Sequence, residues 1–183
     1  EIGVRLVGSE MCIRDSVKGG VDNIMTYSNA QFVVLGSGDW EYEQFFKEMQ
    51  AKYPGRFVLC QGFVPELARK IYGGSDIFLM PSKSEPCGLS QMVALRYGSI
   101  PDVRETGGLK DSITDSGDGK GNGFTFQTYD TQDMLNSVHR AIYAYNESKD
   151  GWKVLVERAM ACDNSWGRSA NDYIRLYKQL INS

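Results

Sequence analysis

The sequence has few of the residues that build metal and redox sites. It contains one histidine, His139, and its four cysteines are scattered, with no pair in the C-x-x-C spacing of zinc sites and redox pairs. Its carboxylates are not clustered as metal ligands would be. We therefore predict no metal centre and no cofactor. Scattered thiols in a globular chain are typical of a reducing compartment, so a cytoplasmic protein is expected.

Long apolar runs and an excess of positive charge are also missing. No segment approaches the ~20 consecutive apolar residues that a membrane-spanning helix needs. The chain has 20 basic and 23 acidic residues, a net charge of −3, and its basic residues form no run or stripe. These features predict neither a membrane partner nor a nucleic-acid partner.

What the chain does have is enough apolar residue for one core. With 183 residues, 42% of them hydrophobic, it is expected to form a single domain over residues 1–183. Apolar runs of strand length alternate with segments of helical periodicity from end to end. This alternation predicts an α/β fold, with a parallel sheet that carries helices on both faces.

One stretch in the middle of the chain combines a strand, a loop and a helix. The apolar run from Asp76 to Met80 breaks at Pro81, a polar loop ends in Glu85-Pro86-Cys87-Gly88, and a helical pattern begins at Leu89. Such loops lie where open parallel sheets bind ligands, and the helix N-terminus offers free N–H groups to an anion such as a diphosphate. A carboxylate would repel phosphate, which suggests that Glu85 accepts hydrogen bonds from a sugar. Spacing alone is equally compatible with an ordinary helix-entry loop that carries a solvated glutamate.

A second glycine turn follows the next predicted strand. After Ile100–Val103 come Arg104-Glu105-Thr106-Gly107-Gly108-Leu109, which again lead into a helical segment. Two such turns on successive strands can line one crevice.

The two turns together resemble a known family of enzymes. Ser82-x-x-Glu85-Pro86-Cys87-Gly88-Leu89, Ala94-Leu95-Arg96-Tyr97-Gly98, Pro101 and Arg104-Glu105-Thr106-Gly107-Gly108-Leu109 are similar to segments of bacterial glycogen synthase and plant starch synthase. The resemblance implies the C-terminal, Rossmann-like domain of a two-domain GT-B glycosyltransferase, with the N-terminal acceptor domain absent from this chain. It also implies transfer of glucose from ADP-glucose to the non-reducing end of an α-1,4-glucan, glycogen or starch, with retention.

The same resemblance implies a set of site residues. Glu85 would hold the glucose hydroxyls, and Cys87 would lie beside the sugar or the diphosphate. Phe63 would stack on the adenine, although a core or lid aromatic is equally compatible with its position. The groups implied to stabilise the charge that develops on the diphosphate are Arg5, Lys18 and the amides of Gly88, Leu89 and Ser90, and the second turn adds Thr106, Gly107 and Gly108 to the donor site. The implied catalytic residues are Glu85, Arg5 and Lys18.

The sequence departs from the family pattern in two places. Residues 8–16 are longer than the family's loop and unlike it, which an insertion, a lineage difference or a sequencing artefact would explain; we favour the artefact. In many related retaining glycosyltransferases a second glutamate follows the first after eight residues. Here that position is Val93, in agreement with the glycogen and starch synthase branch.

Three other interpretations were weighed. A non-catalytic sugar-nucleotide or glucan-binding module, and a related retaining glycosyltransferase that uses another nucleotide sugar, both remain open. A nicotinamide-binding Rossmann domain fits poorly, because no GxGxxG with a later acidic residue follows the first strand. His139 is expected to be structural or solvated, and the aromatic stripe of the last helix is expected to be partly exposed.

Overall fold

The computed structural model describes residues 2–7, 15–62 and 64–181, except for the side chains of residues 2–7, 15 and 16. Phe63 and residues 8–14, both singled out in the sequence, lie outside this part. Strands and helices alternate along the described chain. Their order is β1 (Ile2–Val7), α1 (Asp15–Tyr27), β2 (Ala30–Gly36), α2 (Trp40–Lys52), β3 (Phe57–Gln61), α3 (Pro65–Gly74), β4 (Ile77–Met80), α4 (Ser90–Tyr97), β5 (Ile100–Arg104), α5 (Gly107–Ser112), β6 (Phe124–Phe126), α6 (Thr131–Glu147), α7 (Lys149–Met160) and α8 (Trp166–Ile181).

The strands form one parallel sheet in the order β3-β2-β1-β4-β5-β6. This is the order of the doubly wound Rossmann fold, and it confirms the predicted Rossmann-like sheet. The order reverses between β1 and β4, where the register pairs Arg5 with Phe78. In folds of this kind, ligands bind outside the carboxyl ends of the strands at this switch point.

Helices cover both faces of the sheet, as predicted. Successive side chains of a strand point to opposite faces. Phe78 of β4 packs on Tyr72 of α3, with ring centroids 5.1 Å apart. Leu79 pairs in register with Asp102, whose carboxylate accepts a hydrogen bond from Ser137 of α6. The two helices α3 and α6 therefore lie on opposite sides of the sheet.

The buried residues of the central strands explain why both faces must be covered. All four residues of β4 are buried, which is the pattern of a strand with a helical layer on each side. Towards the β3 edge, Phe32 and Phe57 stack at 5.4 Å, and Phe46 of α2 lies 6.0 Å from Phe57. The i, i+3, i+4 spacing of the aromatic residues of α2 predicts a core-facing stripe, and the packing of Phe46 agrees with it.

Two helices begin earlier than their sequence patterns indicated. The sequence pattern predicts the first helix from Gly19 to Tyr27, but the helix begins at Asp15, which places Lys18 on a helix rather than in a loop. The pattern also predicts a helix from Trp152 to Cys162, but α7 begins at Lys149. The Ser148 hydroxyl accepts a hydrogen bond from the Gly151 amide and caps this earlier start. Polar first turns hide these starts, since the apolar periodicity begins one turn later.

The last helix, α8, buries no residue in the described structure. The sequence predicted that its apolar stripe would be partly exposed, and the structure agrees. The exposed apolar residues are Trp166, Tyr173, Ile174, Leu176, Tyr177, Leu180 and Ile181. The strongly amphipathic pattern of this helix normally signals a buried face. In the part of the chain that the structure describes, no helix has the length and apolar character needed to cross a bilayer.

Candidate functional site

The two glycine turns predicted to line one crevice are in direct contact. Strands β4 and β5 are neighbours, so the loops that follow them leave the same edge of the sheet. The Gly108 N–H donates a hydrogen bond of 3.2 Å to the Glu85 carbonyl. A β-carbon at Gly107 would lie 2.1 Å from the Glu85 carbonyl oxygen, and one at Gly108 would lie 1.9 Å from that of Cys87. Only glycines allow the backbones of the two turns to approach this closely.

The first turn presents the N-terminus of α4. Gly88 has a φ of +70°, a left-handed conformation that glycine adopts without strain. The helix then begins at Ser90, and in the described structure no side chain caps its N-terminus. The first amides of a helix lack partners within it and carry the positive end of its dipole. The turn can therefore receive an anion.

The exposure of the predicted site residues differs from one side chain to the next. Cys87 is exposed and so is Leu89, whose side chain has 67% of its surface accessible. Glu85 is half-buried, and so is Thr106, the residue before α5. A half-buried carboxylate beside exposed loop backbone can accept hydrogen bonds from a polar ligand.

Arg104 connects the end of β5 to the loop after β4. Its Nη1 donates hydrogen bonds to the carbonyls of Ser82 (3.2 Å) and Lys83 (2.7 Å), and its guanidinium lies 5.7 Å from the centre of the Tyr129 ring. Arg104 belongs to the second turn's motif, but the sequence alone predicted no role for it. A charged residue at the carboxyl end of a buried strand is the signal that could have identified it.

The remaining predicted residues lie towards the other half of the sheet. Arg5 belongs to β1, next to β4, and its side chain lies outside the described part. Lys18 of α1 forms an ion pair of 2.5 Å with Glu41 of α2, and its ammonium group lies 4.6 Å from the centre of the Tyr42 ring. A diphosphate that uses Lys18 would have to compete with the Glu41 carboxylate.

A buried polar network underlies the second turn. Asp102 of β5 is fully buried, and burial raises its pKa to about 7, against smaller lowering effects from the Ser137 hydroxyl and Arg140 and a raising effect from Asp115. At the network's rim, burial alone would raise the pKa of Asp115. Hydrogen bonds from Arg140 and from the Thr125 and Gly117 amides outweigh that effect, so this pKa is lowered. The network braces β5, β6 and α6 against each other.

The described part of the chain holds no group of three histidine, cysteine or carboxylate side chains placed to bind a metal ion. His139 of α6 lies 3.1 Å from the side-chain oxygen of Asn23 of α1. That contact gives this histidine the structural role expected from its place in the sequence.

Comparison with known proteins assigns the family. The sequence model of the family described as "Glycosyl transferases group 1" matches residues 21–151, more than half of the chain. The chain belongs to this family. Both glycine turns lie inside the matched segment.

Individual relatives of this group 1 glycosyltransferase are close in sequence. It is 49% identical over 179 residues to a glycogen synthase of Geobacillus thermodenitrificans, covering 93% of this chain and 37% of that protein. It is 48% identical over 169 residues to a glycogen synthase of Pseudothermotoga lettingae, covering 91% of this chain and 35% of that protein. The chain thus spans little more than a third of the length of these relatives.

A solved structure supports the same fold. The catalytic domain of starch synthase IV from Arabidopsis thaliana, bound to ADP and acarbose, superposes with a TM-score of 0.82 at 36% identity. The match covers all of this chain and 39% of that one. Its fold agrees with the GT-B assignment made from the sequence.

Proposed function

We propose that this chain is the donor-binding domain of a glycogen or starch synthase that transfers glucose from ADP-glucose to the non-reducing end of an α-1,4-glucan, with retention. The observation that carries the proposal is the contact between the two glycine turns at the carboxyl edge of the sheet. The similarity to glycogen synthases, and to a starch synthase whose structure contains ADP, supports the choice of donor.

In this proposal the first turn binds the two ends of the donor differently. The amides of Gly88, Leu89 and Ser90, at the positive end of α4, receive the diphosphate. Glu85, in the same loop, accepts hydrogen bonds from the glucose hydroxyls, and Cys87 lies beside the sugar or the diphosphate. Thr106, Gly107 and Gly108 complete the wall of the crevice.

Cleavage of the bond between glucose and the diphosphate leaves negative charge on the diphosphate, and the site must stabilise that charge as it develops. Arg5 and Lys18 are the cationic side chains proposed for this role, together with the amides of the first turn. Lys18 would leave Glu41 to reach the diphosphate. Phe63 is proposed to stack on the adenine.

The acceptor side of the reaction is proposed to come from the rest of a longer protein, in an N-terminal domain. This chain spans 37% of a glycogen synthase to which it is 49% identical. The exposed apolar face of α8 is the surface proposed to pack on that domain. Transfer needs donor and acceptor held together with water excluded, which an open crevice on one domain does not provide.

Titration calorimetry of this chain with ADP-glucose, UDP-glucose and ADP tests the donor assignment. We expect ADP-glucose and ADP to bind, UDP-glucose to bind more weakly, and a chelator of divalent ions to change neither ADP-glucose nor ADP affinity. Preference for UDP-glucose would favour a related retaining glycosyltransferase. Absence of binding by every nucleotide would contradict the proposed site.

A further inference from the structure

A buried carboxamide lies directly beneath the first glycine turn. Gln91, in the first turn of α4, has no accessible surface. Its Nε2 donates hydrogen bonds to the Gly88 carbonyl (3.0 Å) and to the Ser112 hydroxyl (3.1 Å), with the Cys87 carbonyl at 3.5 Å. These acceptors fix the orientation of the amide, because the reversed orientation would set oxygen against oxygen.

The hydrogen bonds continue from Gln91 to the second turn. The Ser112 hydroxyl, which accepts from Gln91, itself donates a hydrogen bond of 2.6 Å to the Gly108 carbonyl. The carbonyls of Gly88 and Gly108 are thereby held through one relay of two side chains. The relay ties α4 to α5 from inside, while the bond from the Gly108 amide to the Glu85 carbonyl ties the two turns at the surface.

Holding the Gly88 carbonyl also fixes the next amide. A trans peptide is planar, and its C=O and N–H point in opposite directions. Because Gln91 holds the Gly88 carbonyl towards the core, the N–H of Leu89 points the other way, towards the crevice. The carboxamide also lies against the α-carbon of Gly88, where a β-carbon would come within 2.7 Å of it. Gln91 thus fixes both the left-handed backbone of Gly88 and the peptide plane that follows.

Burial of this group carries a cost at one of its two polar atoms. The Oε1 of Gln91 is buried and has no hydrogen-bond partner in the described part of the chain. An unsatisfied buried oxygen costs on the order of 1–3 kcal/mol, and methionine, which has the same length, would remove that penalty. Methionine would also leave the Gly88 carbonyl without the hydrogen bond from Nε2, so the two effects on stability oppose each other. What glutamine supplies and methionine does not is the hydrogen bond that orients the Gly88 peptide.

We propose that Gln91 is a positioning residue, which works with Ser112 to aim the Leu89 amide at the donor diphosphate. The proposal rests on the proposed function, because it deepens the account of the same site. Gln91 does not touch the donor itself; it acts through the peptide that does. Its removal should therefore weaken diphosphate binding in a protein that stays folded.

The test compares Gln91→Met, Ser112→Ala and the double variant with the unchanged chain, using ADP calorimetry and thermal unfolding. Gln132→Met, on the exposed side of α6, is the matched control. We expect Gln91→Met to weaken ADP binding about ten- to a hundredfold, the loss expected for one hydrogen bond to a charged group, at an unchanged unfolding temperature. Ser112→Ala should weaken it less, and the double variant should be no weaker than Gln91→Met, because both side chains belong to one relay.

A spectroscopic measurement separates positioning from packing. In the ¹⁵N-labelled chain, the amide signal of Leu89 should shift on addition of ADP, and this shift should be lost in Gln91→Met. If the unchanged chain binds ADP and Gln91→Met binds it equally well with the same shift, the inference is overturned while the proposed function stands. If the unchanged chain does not bind ADP, both fall. If Gln91→Met unfolds, Ser112→Ala decides, and unaltered ADP affinity in that variant overturns the inference.

Discussion

Glu85 and Asp102 are carboxylates in opposite surroundings, one at the rim of the site and one inside the core. The Glu85 backbone carbonyl accepts a hydrogen bond from the Gly108 amide. The Glu85 side chain is half-buried, so part of it is accessible to a ligand. The Asp102 side chain is instead fully buried, and its carboxylate accepts a hydrogen bond from the Ser137 hydroxyl. The first should affect ligand choice and the second the pH dependence of stability.

Glu85→Ala should change the discrimination between ADP-glucose and ADP. The proposed contact of this carboxylate is with the sugar, so affinity for ADP-glucose should fall by about 1.5–3 kcal/mol while affinity for ADP is retained. Calorimetry with both ligands measures the difference, and Glu147→Ala, at the exposed end of α6, is the control. Equal losses for both ligands would mean that Glu85 maintains the loop rather than the sugar contact.

Asp102→Asn should remove a pH dependence of stability. The pKa of Asp102 is about 7 in the folded protein, against 3.8 as its ordinary value, so between these values the folded state keeps a proton that the unfolded chain has released. Stability therefore falls as pH rises from about 4 to about 7, and the full penalty is present above 7. Asparagine does not titrate and can still accept the Ser137 hydrogen bond.

Thermal unfolding of the unchanged chain and of Asp102→Asn at pH 5 and pH 8 measures this pH dependence of stability. Lowering the pH from 8 to 5 should stabilise the unchanged chain relative to Asp102→Asn by about 2–3 kcal/mol, at about 1.4 kcal/mol per pKa unit. Contributions from the other carboxylates cancel in the comparison. Parallel pH profiles for the two proteins would show that Asp102 stays ionised in the fold.

Residue pairs distant in sequence explain most of what the sequence alone did not predict. Lys18 was identified as a candidate cation, but its pairing with Glu41 joins two helices and leaves no local pattern. Gln91 precedes Ala94 and Leu95 by three and four residues, which puts it on their buried helix face; that spacing is a signal that could have marked it. Its partner Ser112 lies in another helix, which no periodicity reveals.

At the scale of elements, the strands and both glycine turns could be predicted because their causes are local. Buried parallel strands appear as continuous apolar runs, and a glycine before a helix marks a tight turn. The starts of α1 and α7 were misplaced because capping and polar first turns override the apolar pattern there. The closeness of the two turns followed from their place on successive strands, but their direct contact did not.

Gly108→Ala should force the two turns apart. The added β-carbon would lie 1.9 Å from the Cys87 carbonyl, too close for any side-chain adjustment to relieve. We expect a loss of stability of about 1–3 kcal/mol and a marked loss of ADP affinity. Thermal unfolding and calorimetry measure the two effects, with Gly73→Ala as control because its β-carbon would meet only ordinary contacts with Tyr97. If Gly108→Ala binds ADP normally, the close packing of the turns is not needed for the site.

At the scale of the whole molecule, the apolar face of α8 is largely exposed in the described structure, where the helix buries no residue. Tyr173 and Tyr177 are adjacent on this face, with ring centroids 6.3 Å apart, and more than half of each side chain is accessible. Exposed apolar patches of this kind mark interaction surfaces. The proposed partner is the N-terminal domain of a longer synthase.

The chain alone is therefore expected to bind ADP-glucose without extending a glucan, and a longer protein that includes the N-terminal domain is expected to transfer glucose. Transfer of labelled glucose from ADP-glucose to glycogen measures both. Tyr177→Ser should leave the unfolding temperature of this chain unchanged, since Tyr177 is 58% exposed. In the longer protein the same change should lower stability by about 1–3 kcal/mol, because there the ring would be buried. Lys178→Ser, at the neighbouring position of α8, is the control. Efficient glucan extension by this chain alone would contradict the two-domain account. If Tyr177→Ser and Lys178→Ser change the stability of the longer protein equally, the apolar face of α8 does not contact the N-terminal domain.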